Sequence, residues 1–377
     1  MKWKALLMAG IAMFLWHAPA FAQQSVEERL KSMEKRIKYL EERVSAQDKV
    51  IVEKDKQISK LTGGDNWFEA VEIGGAIKLK GTIANPAEGE STTDLAVETV
   101  ELGIGAQVND WVKGEVVLLY EQGESLDVDT ATVTIGPPEG SWSLTGGQLY
   151  VPFGAFETNL ISDPMTLDIG ETRQTALQLD ASAGGLSGSV FLFKGDSPEN
   201  DEDRIQGAGV AVGYSIEKEN FELGLNLSYI NDLGDSDGLQ DVIETSINRA
   251  AGVSASAKMR IGSITVLGEF LGAMDEFHAN EVAFGDYGAK PSAWMVEAAY
   301  GFELAGKEAT LAASYQQTDE ALALELPKKR ILLGVSAEVM EGLSLGVEWA
   351  RDTDYSVADG GTGEDSDTFT LQLAAEF

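Results

Sequence analysis

The sequence predicts an all-β fold, a 16-stranded antiparallel transmembrane β-barrel, with an N-terminal α-helical coiled coil ahead of it. Three observations predict this. Apolar residues alternate with polar or small ones from Trp67 to the last residue, the links between those runs are short and long in turn, and residues 26–61 carry a heptad pattern instead. Alternation with period two marks a strand with two different faces, whereas steps of three and four mark a helix.

Residues 1–22 read as an export signal. Met1 to Lys4 is a short basic start, Ala5 to Trp16 is an apolar run, and Ala20, Phe21 and Ala22 form a small, any, small triplet before Gln23. Such a run is shorter than the roughly 20 apolar residues that span a bilayer, but it suits the core of a cleavable signal. The alternative is a short buried helix.

Residues 23–62 are expected to form the coiled coil. Leu30, Ile37, Val44, Ile51 and Ile58 share one heptad position, while Val26, Met33, Leu40, Gln47, Lys54 and Leu61 share the other. The apolar seam is therefore Leu30, Met33, Ile37, Leu40, Val44, Ile51 and Ile58, a pattern of helices that pack on one another; the alternative is a single amphipathic helix lying on another surface. β-Branched residues in that seam allow a dimer or a trimer, and Gln47 and Lys54 weaken its second half. Thr62, Gly63, Gly64 and Asp65 break the helix, and residues 63–66 form a linker.

The barrel occupies residues 67–377. Val100, Leu102, Ile104, Ala106 and Val108 alternate with polar or small residues, as do Leu223, Leu225, Leu227 and Tyr229, and the chain ends on Phe369, Leu371, Leu373, Ala375 and Phe377. Strands are expected to begin near residues 69, 95, 111, 125, 142, 173, 186, 204, 221, 249, 263, 293, 309, 329, 343 and 368. Links after even-numbered strands are short, such as Asn109–Asp110 and Gly184–Gly185, while most links after odd-numbered strands are long, such as Gly154 to Thr172 and Gly272 to Ser292. Short turns at one end and long loops at the other are the layout of an outer-membrane barrel. A soluble barrel or solenoid would share the alternation but not the export signal or the one-sided loops.

Charge and composition exclude several classes. The 377 residues include 62 acidic and 28 basic side chains, a net charge of −34, and no cysteine. Residues 63–377 alone carry 54 acidic and 16 basic side chains, net −38. A chain this acidic repels nucleic acid phosphates. Without cysteine there is no disulfide, thiol nucleophile or thiolate metal site. Beyond the signal the one histidine is His278, with no serine elbow beside it, so the chain is not expected to be an enzyme, and no cofactor or metal is expected. The acids Asp232, Asp235, Asp237 and Asp241 lack the glycine and terminal glutamate of a calcium loop.

The most distinctive stretch runs from Gly147 through Gln148, Leu149, Tyr150, Val151, Pro152, Phe153 and Gly154 to Asp163 and Pro164. It resembles the LbtU family of siderophore porins and, more distantly, the phosphate-selective porin group, in which a strand ending in a Pro-Phe-Gly turn leads into a long loop. The resemblance implies an outer-membrane channel, with ferric siderophores as the family's named substrate class. Phosphate selectivity does not carry over, since it needs a basic ladder and this barrel is acidic. The long loop is the expected pore constriction, with Glu157, Asp163, Asp168 and Glu171 meeting Arg173 and Arg249 on the inner wall; the alternative is a loop turned outward over the mouth.

The expected partners are outer-membrane lipid, small polar solutes or iron chelates, and two further copies in a homotrimer. The expected place is the outer membrane of a Gram-negative bacterium, with the coiled coil in the periplasm. The function expected is passive, cation-preferring diffusion of small polar solutes. A competing reading is a structural anchor tethered through the coiled coil.

Overall fold

The computed structural model describes residues 70–86, 89–138, 140–195, 204–243 and 246–377. The export signal, the coiled coil with its seam and the linker lie outside them. Sixteen strands follow in chain order, each paired antiparallel with its neighbours. They are β1 (Val71–Asn85), β2 (Thr92–Asn109), β3 (Val112–Glu121), β4 (Asp127–Ile135), β5 (Trp142–Tyr150), β6 (Arg173–Ala183), β7 (Leu186–Phe193) and β8 (Gly207–Lys218). The second half comprises β9 (Phe221–Ile230), β10 (Gly252–Ile261), β11 (Ile264–Ala273), β12 (Ser292–Leu304), β13 (Lys307–Asp319), β14 (Lys329–Met340), β15 (Leu343–Thr353) and β16 (Asp365–Glu376). Every strand starts within three residues of its expected position, because alternation fixes a strand wherever both faces have a defined environment.

The sheet closes on itself. β1 pairs with β16 from Ala76 opposite Glu376 to Asn85 opposite Asp367. Two further bonds extend the seam, from Gly75 N–H to Phe377 O at 2.9 Å and from Phe377 N–H to Gly75 O at 3.0 Å. Closure removes the unpaired strand edges that lipid could not hydrate.

Alternation sorts the side chains. On β12, Trp294, Val296 and Tyr300 are exposed, while Ala293, Met295, Glu297 and Ala299 between them are buried. The outer register is apolar all round the ring, and aromatic residues recur on it at a fixed interval. Trp142 and Tyr150, Phe221 and Tyr229, and Trp294 and Phe302 each stand eight residues apart on one strand, and Phe377, one residue past β16, stands eight beyond Phe369. Eight residues rise about 26 Å along a strand, or roughly 20 Å across a tilted wall. Two aromatic girdles bounding an apolar belt form a surface that hydrocarbon accommodates and water does not.

The long connections also carry structure. The link after β5 contains helix α1 (Met165–Gly170), and the link after β11 contains a two-residue hairpin, Ala283–Phe284 against Tyr287–Gly288. Leu233, Leu239, Phe277, Val282, Ala289, Ala321 and Leu326 come from three such connections and share one buried apolar cluster with Phe153, Met165 and Ile169.

Candidate functional site

The link after β5 turns into the barrel. Its ends are tied by Val151 N–H to Thr172 O at 3.0 Å. Gly154 has φ +90°, and a Cβ there would lie 2.2 Å from the Phe156 ring, so only glycine allows this turn. Phe153 points back into the apolar cluster at 1% exposure, with α1 packed beside it. A rigid apolar base thus aims the polar middle of the loop across the lumen.

Contacts with the far wall show how far it reaches. Ala155 N–H and Phe156 N–H donate to Glu269 on β11 at 2.6 and 3.1 Å. Asn159 N–H donates to Glu297 on β12 at 2.8 Å, and Ile161 N–H to Glu348 on β15 at 2.7 Å. Met165 N–H donates to Gln316 Oε1 on β13 at 2.8 Å. β13 lies eight places round the sixteen-strand ring from β5, so the loop crosses to the opposite wall.

The loop acids meet different partners from those expected. Glu157 pairs with Lys258 of β10 at 2.9 Å, and Lys258 also reaches Glu222 of β9 at 3.3 Å. Burial raises the Asp163 carboxyl, an effect that Lys78 and Lys80 of β1 oppose and the charges of Glu98 and Glu348 reinforce. Asp168 is pushed up to about 6, again by burial first; Arg330 of β14 favours its charged form and Asp163 disfavours it. Glu171 is pushed up to about 7 by burial and then by the nearby charge of Asp237, Asp163, Asp129 and Glu121.

The two expected arginines lie elsewhere. Arg173 pairs directly with Tyr150, one place along from the buried pair Leu149 and Gln174, and therefore on the opposite face of the sheet. Its guanidinium lies 3.3 Å from both Asp127 and Asp129. Arg249 precedes β10 rather than standing on the strand wall, and it lies 3.9 Å from Asp232 of the same connection. The basic groups facing Asp163 and Asp168 are Lys78, Lys80 and Arg330. Their inward register was legible, since Lys78 and Lys80 alternate with the exposed Ile77 and Leu79. Which part of the wall the loop would face was not.

Two of those bases are already engaged by wall acids. Lys80 pairs with Glu98 at 2.6 Å, and Glu98 also accepts from Gln372 at 2.9 Å. Arg330 holds Asp352 through two hydrogen bonds. The gap between loop and wall therefore keeps an excess of negative charge. A cavity of 550 Å³ beside the loop is lined by Asp168, Glu171, Asp237, Asp241, Glu325 and Leu324 among others, and one of 390 Å³ on the wall is lined by Lys80, Asp94, Glu98 and Glu121 among others.

A closed sixteen-strand ring with a loop across its lumen defines the porin type of β-barrel. Its solved counterparts include the outer membrane channel DcaP of Acinetobacter baumannii, with a TM-score of 0.56, 13% identity and coverage of 81% of this chain and 97% of that one. Pseudomonas putida OprB gives a TM-score of 0.58 at 9% identity, covering 82% and 95%. In sequence the chain is similar to a UPF0422 protein of Coxiella burnetii, 26% identical over 304 residues that cover 76% of this chain. The match spans 65% of that relative's length. No family model matches.

Proposed function

We propose that this chain is an outer-membrane channel for passive, cation-preferring diffusion of small polar solutes, narrowed by the loop 154–172. One observation carries the reading: Asp163 and Asp168 stand in the gap beside Lys78, Lys80 and Arg330, and of these Lys80 and Arg330 are already neutralised in part by Glu98 and Asp352, so that carboxylates outnumber bases there. Uncompensated carboxylates inside a low-dielectric wall concentrate cations and repel simple anions. The apolar belt and girdles favour the outer membrane as its place, and the DcaP likeness supports the channel reading.

The resemblance to the LbtU family at residues 147–164 adds iron chelates to the solutes considered; in an acidic gap, chelates without net negative charge pass more readily. Barrels of this size commonly assemble in threes, and the heptads of residues 26–61, which allow a dimer or a trimer, would follow a homotrimer's symmetry with the coiled coil in the periplasm. Planar-bilayer recording of the purified chain in a salt gradient tests the function. Discrete conductance steps with a cation-positive reversal potential are expected. A bilayer that stays closed, together with co-sedimentation of the protein with the cell wall, would support the anchor instead.

A further inference from the structure

Three carboxylates on the far wall have no role in the ion preference just described. Glu297 is fully buried, Glu348 is 1% exposed and Glu269 is 6% exposed. None of them forms an ion pair among the described residues. A buried carboxylate without a counter-ion is tolerated only when hydrogen-bond donors fill its oxygens. Here the donors come chiefly from the loop.

Each carboxylate uses both oxygens. Glu297 Oε1 accepts from the Asn159 amide N–H and side-chain amide, both at 2.8 Å, while Oε2 accepts from the Thr158 hydroxyl at 2.7 Å. Glu348 Oε2 accepts from Ile161 N–H at 2.7 Å and Ser162 N–H at 3.2 Å, and Oε1 accepts from the Ser162 hydroxyl at 2.5 Å. Glu269 takes Ala155 N–H on one oxygen, with Phe156 N–H and the Thr166 hydroxyl on the other. The wall is also shaped for the loop. A Cβ on Gly334 would lie 2.6 Å from Leu160 Cδ2, and one on Gly346 3.0 Å from Ile161 Cδ1.

We infer that Glu269, Glu297 and Glu348 are positioning residues that stitch the loop to the wall and so fix the width of the passage. The inference rests on the loop being the constriction. It makes the loop a fixed partition, since every rung joins the loop to a strand of the barrel itself. Glu348 matters most for the charged gap, because it holds Ile161 and Ser162 next to Asp163. Glutamine at these positions keeps one acceptor and turns an amide N–H₂ toward loop donors, so shape is conserved while half of each rung is lost.

The test compares single-channel conductance and open-channel noise of E297Q, E348Q and the double variant with the wild type and with a chain lacking Asn159–Leu167. All are purified as full chains, and heat-modifiable gel mobility verifies that each barrel has folded. The double variant should recover most of the conductance gained by the deletion and should be noisier than either. A second variant, T158V/S162A, removes loop donors while leaving the wall intact, and should shift both quantities in the same direction. A folded E297Q/E348Q chain with wild-type conductance and noise, beside a deletion that raises conductance, would overturn the stitch and leave the constriction standing. A deletion that changes nothing would overturn the constriction, and the stitch with it.

Discussion

Arg330 holds Asp352 through two hydrogen bonds of 2.8 and 3.0 Å, although it also faces Asp168 of the inner loop. Two-pronged pairing fixes the guanidinium to the wall and leaves it less able to neutralise the loop. Asp168→Asn and Asp163→Asn should therefore lower cation preference, whereas Arg330→Gln should raise it. Reversal potentials in a tenfold potassium chloride gradient read both directions. Neutralising Asp365 and Asp367, which sit beside Arg351 at the strand ends, should leave the potential unchanged.

Ion preference should depend on pH. Glu171 at about 7 and Asp168 at about 6 lose charge as pH falls, so cation preference should be full near pH 8 and weaker at pH 5. The sign for stability is opposite. Between the ordinary carboxylate range and these raised values the folded chain keeps protons that the unfolded chain has released, so loop docking weakens as pH rises through about 4 to 7. Proteolysis of the loop at pH 8 against pH 5 measures the second effect.

Gly346→Val should push Ile161 out of its notch. A Cβ there already meets Ile161 Cγ1 at 3.2 Å, and overpacking of this kind costs about 1–3 kcal/mol. The barrel does not need the loop to close, so the loss should fall on the loop. Conductance should rise with no change in heat-modifiable mobility.

Closure itself should be sensitive at Gly75. A Cβ there would lie 2.5 Å from Glu101 O and 2.9 Å from the Phe377 ring, at the seam between β1 and the chain end. Gly75→Leu should reduce the fraction that runs as a folded barrel without heating. Full recovery of folded protein would show that the seam gives way more easily than its backbone contacts imply.

Assembly provides the remaining prediction. Native mass of the detergent-solubilised full chain should correspond to three copies, and removing residues 23–62 should lower it. A full chain that stays monomeric across concentration would sink the trimer.

The strands were legible because each of their residues has one of two environments. Leu371 beside Gln372, or Ile77 beside Lys78, declares its face locally, and sixteen such runs fix the ring and its register. Glu157, Asp163, Asp168 and Glu171 were legible as a cluster because they share one long loop. Their partners were not. Arg173 is two residues from Glu171, yet a single step of strand register turns it to the outer face, and Lys78 and Arg330 are far away in sequence. The aromatic girdles were present as an eight-residue interval and could have been read.

What the sequence determined by itself is therefore the wall: strand count and the inward and outward faces, set by a period of two. What only the tertiary structure decided is where the loop goes. That depends on Glu269, Glu297, Glu348, Gly334 and Gly346, inward positions on strands distant from β5 in sequence. They become neighbours of Ala155–Ser162 only after the sheet has closed. Burial and like charge from neighbouring carboxylates, which hold Asp168 near 6 and Glu171 near 7, are properties of that closed space, and no local pattern carries them.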